Sequence, residues 1–338
     1  MDERLERETQ CLTDAWMRHD EAMLADYLVR DVQDPRINVA SVLTRHYLVD
    51  QLFPGRFMQL MDRELQFAAV MNWVLGLAKA EGSADRFSNI LLAMANGESA
   101  ADGIAIPRYV AEAFASLPGE ADGLAVPDYL SDGLAWLAGR ACDAHVDEQG
   151  WSTFQLLWHT ALGCEQVPRV SVLEPACGSA NDYRFLGGFG IARFLDYVGF
   201  DLCEKNVRNA RAMFPDVRFE VGNALEIRAP DKAFDLCFVH DLFEHLSLDA
   251  AEAAVAEACR VTRRGLLAGF FRMCDADEHV VCPAGPYYVN KLSVSRTVAL
   301  FERRAASVEV VRIDALLRRR FGCPDTPNPN AWVFTVTL

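Results

Sequence analysis

The stretch VSVLEPACGSANDYRFL (residues 170–186) decides the fold, because an apolar segment in it runs directly into a loop of small residues. The first six residues predict a buried strand, and the polar residues after the loop predict the start of a helix. A strand that ends in such a loop is typical of sheets that bind a phosphate, a dinucleotide or a nucleoside. The identities of the loop residues indicate which of these three ligands the loop binds.

Two of the three ligands fit the loop poorly. A phosphate loop of the Walker type would close with Gly-Lys-Ser or Gly-Lys-Thr, and residues 174–181 contain no lysine. A dinucleotide loop would carry Gly-x-Gly-x-x-Gly, whereas Gly178 stands here between Ala176 and Ala180. Glu174, at the end of the strand, would repel a pyrophosphate and suits a cationic ligand. The loop therefore argues against a dinucleotide such as NAD.

From about residue 150 onward, continuous apolar segments alternate with amphipathic ones. This pattern predicts a mostly parallel sheet covered by helices on both faces, with ligands at the carboxyl ends of the strands. The predicted strands cover residues 169–175, 197–201, 217–222, 234–241, 265–271, 307–313 and 331–338. The predicted helices cover residues 151–163, 185–195, 204–213, 250–261 and 295–304.

The loop Glu174-x-Ala176-x-Gly178-x-Ala180 resembles the first motif of class I S-adenosylmethionine-dependent methyltransferases. In that family the acid and the loop backbone hold the methionine end of the cofactor. The resemblance therefore implies that Glu174, Ala176, Cys177 and Gly178 bind S-adenosylmethionine. Two of the three usual glycines are alanines here, and alanine is tolerated where φ stays negative.

Three later segments resemble the same family, in order. Asp201 and Leu202 end the second strand, where the family's acid accepts both ribose hydroxyls, and one carboxylate can serve two donors. Asn223 and Ala224 lie in a segment similar to the family's Gly-Asp-Ala beside the adenine. FDLCFVHDLFEHLS (residues 234–247) resembles the fourth strand and its exit, and the last two strands resemble the reversed final hairpin. Over residues 150–338 the resemblance implies an α/β fold with a doubly wound, mostly parallel seven-stranded Rossmann-like sheet.

His240 and Asp241 end the fourth strand, where the crevice of such a sheet lies. We predict that one of them accepts the proton of the methyl acceptor, and that His240 also borders the cofactor. For Glu244 and His245 we favour helix capping and packing, so no metal is expected. The alternative is a divalent metal bound by Asp241, Glu244 and His245, as in some small-molecule O-methyltransferases that resemble this segment.

A long loop, residues 272–293, follows the fifth predicted strand. Loops of this length are usually functional or disordered. Candidate contacts to the acceptor lie in and near it: His245, Arg272, His279, Tyr287, Tyr288 and Asn290. The alternative is that the tyrosine pair only covers the edge of the domain.

Residues 1–149 predict a separate α-helical domain, for example through the apolar periodicity of residues 57–80. We expect it to cover the site or to form a homodimer, beside a methyltransferase domain over residues 150–338. Its polar segments 34–38 and 44–46 either reach into a neighbouring site or lie on the surface.

The net charge of −15 is concentrated in the first half, where residues 1–150 carry 12 Lys and Arg against 25 Asp and Glu. Such a surface repels a phosphate backbone, so we expect no nucleic-acid partner. No apolar run reaches the ~18 residues that span a bilayer, so no membrane contact is expected either. The polar N-terminus and ten scattered cysteines without a C-x-x-C pair predict a reduced, cytoplasmic protein.

These observations predict an enzyme that transfers a methyl group from S-adenosylmethionine to an oxygen or nitrogen of a small molecule, including secondary metabolites. Two alternatives remain open. One is a catalytically silent cofactor-binding partner protein, and the other is a non-methylating transferase of the same fold, such as a propylamine transferase.

Overall fold

The computed structural model describes residues 3–16, 35–81, 84–116, 152–323, 326 and 328–338. Its central sheet contains β1 (Val170–Pro175), β2 (Leu195–Asp201), β3 (Arg218–Val221), β4 (Phe234–His240), β5 (Thr262–Phe270), β6 (Ser307–Arg312) and β7 (Trp332–Thr337). The strands lie in the order β6-β7-β5-β4-β1-β2-β3. Strands β1 to β5 are parallel, and β7 runs antiparallel to both of its neighbours. The predicted seven-stranded, doubly wound sheet with a reversed final hairpin is confirmed.

The order of the strands places a crevice between β1 and β4. The chain adds β2 and β3 on one side of β1 and then returns to add β4 on the other side. The loops that leave β1 and β4 therefore diverge, and ligands of open α/β sheets bind at this point.

Eleven helices are seen in the described parts of the chain. They are α1 (Glu3–Trp16), α2 (Val39–Leu52), α3 (Met58–Glu81), α4 (Ala84–Ala95), α5 (Arg108–Ser116), α6 (Ser152–Leu162), α7 (Asn181–Gly188), α8 (Glu204–Met213), α9 (Leu248–Val261), α10 (Val294–Glu302) and α11 (Ile313–Phe321). Short 3-10 turns cover Ala192–Phe194 and Phe243–His245. Two-residue strands pair Ala100–Ala101 with Ile104–Ala105, Pro283–Ala284 with Tyr287–Tyr288, and Met273–Cys274 with Leu292–Ser293.

The predicted helix over residues 185–195 is wrong in its bounds. The helix α7 begins at Asn181 and ends at Gly188, and residue 195 already belongs to β2. Gly187 and Gly188 end the helix, and Gly190 follows with a φ of +75°. Glycine is a poor helix former and readily adopts this left-handed conformation, so the chain turns here instead of continuing the helix.

The N-terminal helices pack directly on the sheet. Val42 and Leu48 of α2 share an apolar cluster with Val172, Phe238 and Leu267 of the strands. The helical character predicted for the N-terminal region is confirmed where the chain is described, and residues 17–34 and 117–149 of that region lie outside the described residues. The division into two domains at residue 149 stays a prediction.

A second apolar cluster fills the opposite face of the sheet. It joins Leu173 and Val239 of the strands with Val255 of α9 and Phe301 of α10. Leu12 of α1 belongs to the same cluster. Within the described residues, no helix is both long and apolar enough to cross a membrane.

Candidate functional site

The loop after β1 is built from left-handed residues. Gly178 has a φ of +54°, and Ala176 and Ala180 have φ values of +58° and +68°. The condition under which alanine replaces glycine without strain, a negative φ, is therefore not met at either alanine. A left-handed conformation costs a residue with a Cβ roughly 1–2 kcal/mol, and such strain clusters at ligand sites. The backbone thus adopts the tight turn without the usual glycines.

Asp201, at the end of β2, ties this loop to the neighbouring one. Its Oδ2 accepts from the backbone N–H of Gly178 at 3.0 Å. Its Oδ1 accepts from the N–H of Cys203 at 2.8 Å and from Nδ2 of Asn206 at 3.2 Å. Burial raises the pKa of Asp201, although these hydrogen bonds oppose the shift. Each oxygen of a carboxylate accepts two donors, so Oδ2 of Asp201 keeps one lone pair for a ribose hydroxyl.

Glu174 and Cys177 are buried beside this loop. Glu174 is 4% exposed and accepts a hydrogen bond from the Tyr197 hydroxyl. Burial, reinforced by the negative charge of Asp182, raises the pKa of Glu174 well above its usual range. Burial likewise raises the pKa of the Cys177 thiol. The thiol is therefore neutral and fills space in the core of the loop.

The loop leaves room and hydrogen-bonding capacity for the predicted cofactor. A Cβ placed on Gly178 would meet no atom within 4 Å. The Oδ1 atom of Asn181, the first residue of α7, is buried and has no hydrogen-bond partner. A carbonyl oxygen suits an ammonium group, and the N-terminus of α7 suits a carboxylate. These features fit the amino and carboxylate groups of a methionine.

Asn223 lies after β3, on the far side of the loop. Its Oδ1 accepts from the N–H of Leu225 at 2.9 Å, and its Nδ2 donates to Oγ1 of Thr9 at 3.2 Å. Ala224 beside it and Leu202 after β2 are partly buried against the second apolar cluster. Helix α1 therefore reaches the sheet edge at which the resemblance predicts an adenine.

His240 is held between two elements at the end of β4. Its Nδ1 lies 3.0 Å from Oδ2 of Asp182 on α7, and its Nε2 lies 2.6 Å from Oγ1 of Thr44 on α2. Burial alone would lower the pKa of His240, but Asp182 raises it on balance. The Thr44 hydroxyl donates to the carbonyl of Ala40 at 3.0 Å, so its oxygen can accept a hydrogen bond from the Nε2–H of His240. The contacts fit a cationic imidazole.

Asp241 follows His240 in a left-handed conformation, with a φ of +50°. Its N–H donates to the carbonyl of Gly269 at 3.1 Å, and its side chain is exposed. Partial removal from water, with Asp182 nearby, raises the pKa of Asp241 to about 6, although His240 opposes the shift. Its carboxylate therefore exchanges protons close to neutral pH.

Glu244 is fully buried in the 3-10 turn after β4. Its Oε1 accepts from the N–H groups of Phe271 at 2.8 Å and Arg272 at 3.4 Å, and its Oε2 is buried without a partner. Burial and the charge of Asp241 raise its pKa to about 8. The capping interpretation of Glu244 is wrong, because Ser247 caps α9 by accepting from its first turn.

His245 packs among aromatic rings, as predicted. Its ring centroid lies 5.5 Å from that of Phe271 and 5.8 Å from that of Tyr287, and its Nδ1 lies 2.9 Å from the carbonyl oxygen of Tyr288. In the described parts of the chain, no three His, Cys, Asp or Glu side chains converge as metal ligands. Of the alternative metal site, Glu244 and His245 contact separate backbone groups, at Phe271 and at Tyr288.

The predicted acceptor contacts fall into two groups. His245, Tyr287 and Tyr288 lie together beside the end of β5. Asn290 is fully buried, accepts from the N–H of Cys282 at 3.0 Å and donates to the carbonyl of Leu246 at 2.8 Å.

The other two candidates lie along the same loop. The Nδ1 of His279 accepts from the N–H of Ser293 at 3.0 Å, and Arg272 is partly buried next to Phe271. The residues Asn290 and His279 therefore order the loop through their own hydrogen bonds. Arg272 and the His245 group remain in a position to meet a ligand.

The segment Thr44-Arg45-His46 is not a surface feature. Thr44 and Arg45 are each 2% exposed and His46 is 9% exposed. Arg45 and His46 contact the Glu64 carboxylate at 2.6 and 2.8 Å, and Trp158 donates to it at 2.7 Å. Although burial would raise it, the pKa of Glu64 is lowered to about 2 by Arg45 and His46. The surface interpretation of residues 44–46 is therefore wrong.

Several residues of the site were not singled out from the sequence. They are Thr9, Asn181, Asp182 and Tyr197. Asp182 carries a usable signal, because an acid in the first turn after a ligand loop faces the crevice. Thr9 and Tyr197 carry no such signal in the sequence, because the residues that they contact are distant along the chain.

The chain matches one family model and is similar to several solved structures. Residues 172–265 match the family model described as a methyltransferase domain. No curated protein sequence matches the chain. Among solved structures, the chain is similar to an S-adenosylmethionine-dependent methyltransferase from Methanosarcina mazei (12% identity, covering 52% of this chain and 96% of that chain, TM-score 0.40). It is also similar to DesVI from Streptomyces venezuelae (15% identity, 55% and 89% covered, TM-score 0.37). A third similar structure is magnesium protoporphyrin IX methyltransferase from Synechocystis PCC 6803 (14% identity, 58% and 84% covered, TM-score 0.35).

Proposed function

We propose, from the class I S-adenosylmethionine-dependent methyltransferase domain that this chain contains, that the protein methylates an oxygen or nitrogen atom of a small molecule. The observation that carries the proposal is the contact between Thr44 of α2 and His240 at the end of β4. This contact places α2 over the end of β4, where an acceptor would have to meet the cofactor. A crevice that is covered by a helix admits a small molecule more readily than a macromolecule.

Three groups of residues would hold the cofactor. Glu174, Gly178 and Asn181 lie where its methionine end would bind, and Asp201 and Asn223 lie where its ribose and adenine would bind. S-adenosylmethionine supplies a methyl group on a positively charged sulfur. The carboxylates around the loop favour that charge.

The proton of the acceptor would be taken by Asp241. Both ring nitrogens of His240 are already hydrogen-bonded, to Asp182 and Thr44, and its pKa is raised. The carboxylate of Asp241 is exposed, and its pKa of about 6 keeps it ionised at neutral pH. The positive charge of the His240 imidazole would then hold the carboxylate of Asp241 in position. These contacts favour Asp241 over His240 as the proton acceptor.

The acceptor would lie against the aromatic group formed by Phe271, His245 and Tyr287. Such rings suit a planar or apolar molecule. The acidic surface of the N-terminal half disfavours a nucleic acid. Scattered cysteines favour the cytoplasm, and self-association through the N-terminal helices remains a prediction.

The proposal is tested by binding and by transfer. We expect calorimetry to detect S-adenosylhomocysteine in the micromolar range or tighter, and no NAD. With S-adenosylmethionine tritiated on its methyl group, label should enter the small-molecule fraction of a cell extract and not its protein or RNA fractions. Labelled protein or RNA would contradict the small-molecule acceptor. Binding without any transfer would favour the silent partner protein instead.

A further inference from the structure

We infer that Arg272 and Lys291 form a cation pair that binds an anionic group, a carboxylate or a phosphate, carried by the methyl acceptor. The inference rests on the proposed function and narrows it, because it names the chemical class of the acceptor.

The cation pair is brought together by two short strands of the loop that follows β5. Met273–Cys274 pairs in parallel with Leu292–Ser293. Arg272 and Lys291 directly precede these two strands, and the N–H of Leu292 donates to the carbonyl of Arg272 at 3.2 Å. Neighbouring strands lie about 4.8 Å apart, so the two cations are adjacent in space although most of the loop separates them in sequence.

The direction of the side chains keeps the cation pair out of the core. Met273 and Leu292 are 1% and 3% exposed and belong to the second apolar cluster. Successive side chains of a strand point to opposite faces, so Arg272 and Lys291 are directed away from that cluster, and both are half-buried. Such side chains lay their apolar stems on the protein and keep the charged ends in water. The charged ends are therefore accessible to a ligand.

The cation pair has no acidic partner. Among the residues that the structure describes, neither of its side chains makes a hydrogen bond or an ion pair. The acids of the same loop contact other groups, since Asp275 lies 3.2 Å from Arg312 and Glu278 pairs with Arg296. Asp277 is exposed, and its carbonyl accepts from Arg296 at 3.0 Å. Like charges side by side are destabilising, and an anion bound between them would remove the repulsion.

The cation pair lies beside the aromatic group on which the acceptor is proposed to rest. Its arginine follows Phe271, whose ring centroid lies 5.5 Å from that of His245. Its lysine follows Asn290, whose N–H donates to the carbonyl of Glu244 at 2.9 Å. The side chain of Glu244 contacts the backbone N–H of the arginine, and burial raises its pKa to about 8. Glu244 is therefore mostly protonated at neutral pH and does not neutralise the cation pair.

The chemistry of the two side chains suits an oxyanion. A guanidinium presents parallel N–H donors to a carboxylate or a phosphate, and the lysine ammonium adds a compact charge. A neutral ligand of the same shape would lose these charge-assisted hydrogen bonds. The preference for an anion over a neutral analogue is therefore the quantity to measure.

The test measures the binding of three small aromatic probes by NMR titration, with S-adenosylhomocysteine at saturation. The probes are phenyl phosphate, benzoate and the neutral benzyl alcohol. We expect at least one anion to bind about tenfold or more tightly than benzyl alcohol, because charge-assisted hydrogen bonds are the stronger ones. The tighter of the two anions identifies the anionic group as a phosphate or a carboxylate.

Variants locate the source of the preference. In Arg272→Gln combined with Lys291→Gln, the preference should fall to about threefold or less, with the affinity for benzyl alcohol unchanged. Arg272→Lys keeps the charge and should keep most of the preference. Arg319→Gln, the matched control, removes an exposed charge from the last turn of α11 and should keep all of it. Binding of S-adenosylhomocysteine shows that each variant is folded.

The inference is overturned if the unaltered protein binds charged and neutral probes equally, or binds neither anion at about 10 mM. It is also overturned if the double variant keeps the full preference, or if Arg319→Gln loses it to the same extent. The proposed function is tested separately, because a protein that does not bind S-adenosylhomocysteine contradicts that function whatever the probes do.

Discussion

The ends of β2 and β4 carry an aspartate each, in the same sheet, and yet the two ends are built differently. Asp201 is 9% exposed and accepts from two backbone N–H groups of neighbouring loops and from the side chain of Asn206 on α8. Asp241 is exposed and has a positive φ. It follows His240, whose Nε2 contacts the hydroxyl of Thr44, 196 residues away in sequence.

This difference in construction matches the two proposed tasks, which are cofactor binding at the end of β2 and proton transfer at the end of β4. Within the methyltransferase domain, local contacts preorganise the end of β2, so it can bind a ligand without help from the N-terminal helices. The end of β4 contacts α2 through His240 and leaves the carboxylate of Asp241, the proposed proton acceptor, exposed. Substitutions at Asp201 should therefore change the affinity for the cofactor, whereas substitutions at Asp241 should change turnover.

The largest effect is expected for Asp241→Asn, which removes the proposed proton acceptor and keeps its size. We expect kcat to fall by ~10²–10⁴, the usual effect of losing a positioned base, with unchanged affinity for S-adenosylhomocysteine. Because the pKa of Asp241 is about 6, kcat of the unaltered enzyme should rise with pH up to about 6 and level off above it. Initial rates across pH check both statements.

His240→Gln is the matched comparison for that experiment. A positioning role predicts a smaller loss of turnover and a shifted pH profile, because the charge that lowers the pKa of Asp241 is gone. Normal turnover in Asp241→Asn together with a large loss in His240→Gln would assign the base to His240.

A smaller effect is expected for Asp201→Ala. It would remove the proposed charge-assisted hydrogen bond to the ribose, so binding of S-adenosylhomocysteine should weaken by ~1.5–3 kcal/mol. The N–H of Gly178 loses its partner as well, so the free energy of unfolding should fall by ~1–3 kcal/mol. Calorimetry and denaturant unfolding measure the two effects. Unchanged affinity in a folded protein would mean that the ribose lies elsewhere.

The smallest effect is expected for Ala176→Gly and Ala180→Gly. Both alanines hold positive φ values, and the relief of that strain exceeds the added chain entropy of glycine, so each change should stabilise the fold by ~0.5–1 kcal/mol. Ala256→Gly, within α9, is the control and should destabilise by about the same amount. If all three variants lose stability equally, the left-handed conformation carries no strain.

The parts of the fold that were predictable depend on local pattern. Buried parallel strands are continuous apolar runs, so residues 170–175 and 234–240 could be placed from sequence alone. The motif order then located Asp201 and the end of β4. What could not be predicted depends on distant partners, such as the burial of Arg45 against Glu64 or the contact of Thr9 with Asn223. The left-handed alanines were also missed, because composition alone does not reveal backbone conformation.

The packing of the N-terminal helices on the sheet has a consequence for how the chain folds. Thr44 and His240 are 196 residues apart, and Glu8 and Ser247 are 239 apart, so the contact order of these pairs is high and folding should be slow. At ordinary rates of synthesis, Thr44 leaves the ribosome roughly 10–40 s before His240. The apolar side of α2 has no strand to cover it in that interval. We therefore expect the nascent chain to depend on chaperones more than the completed protein does.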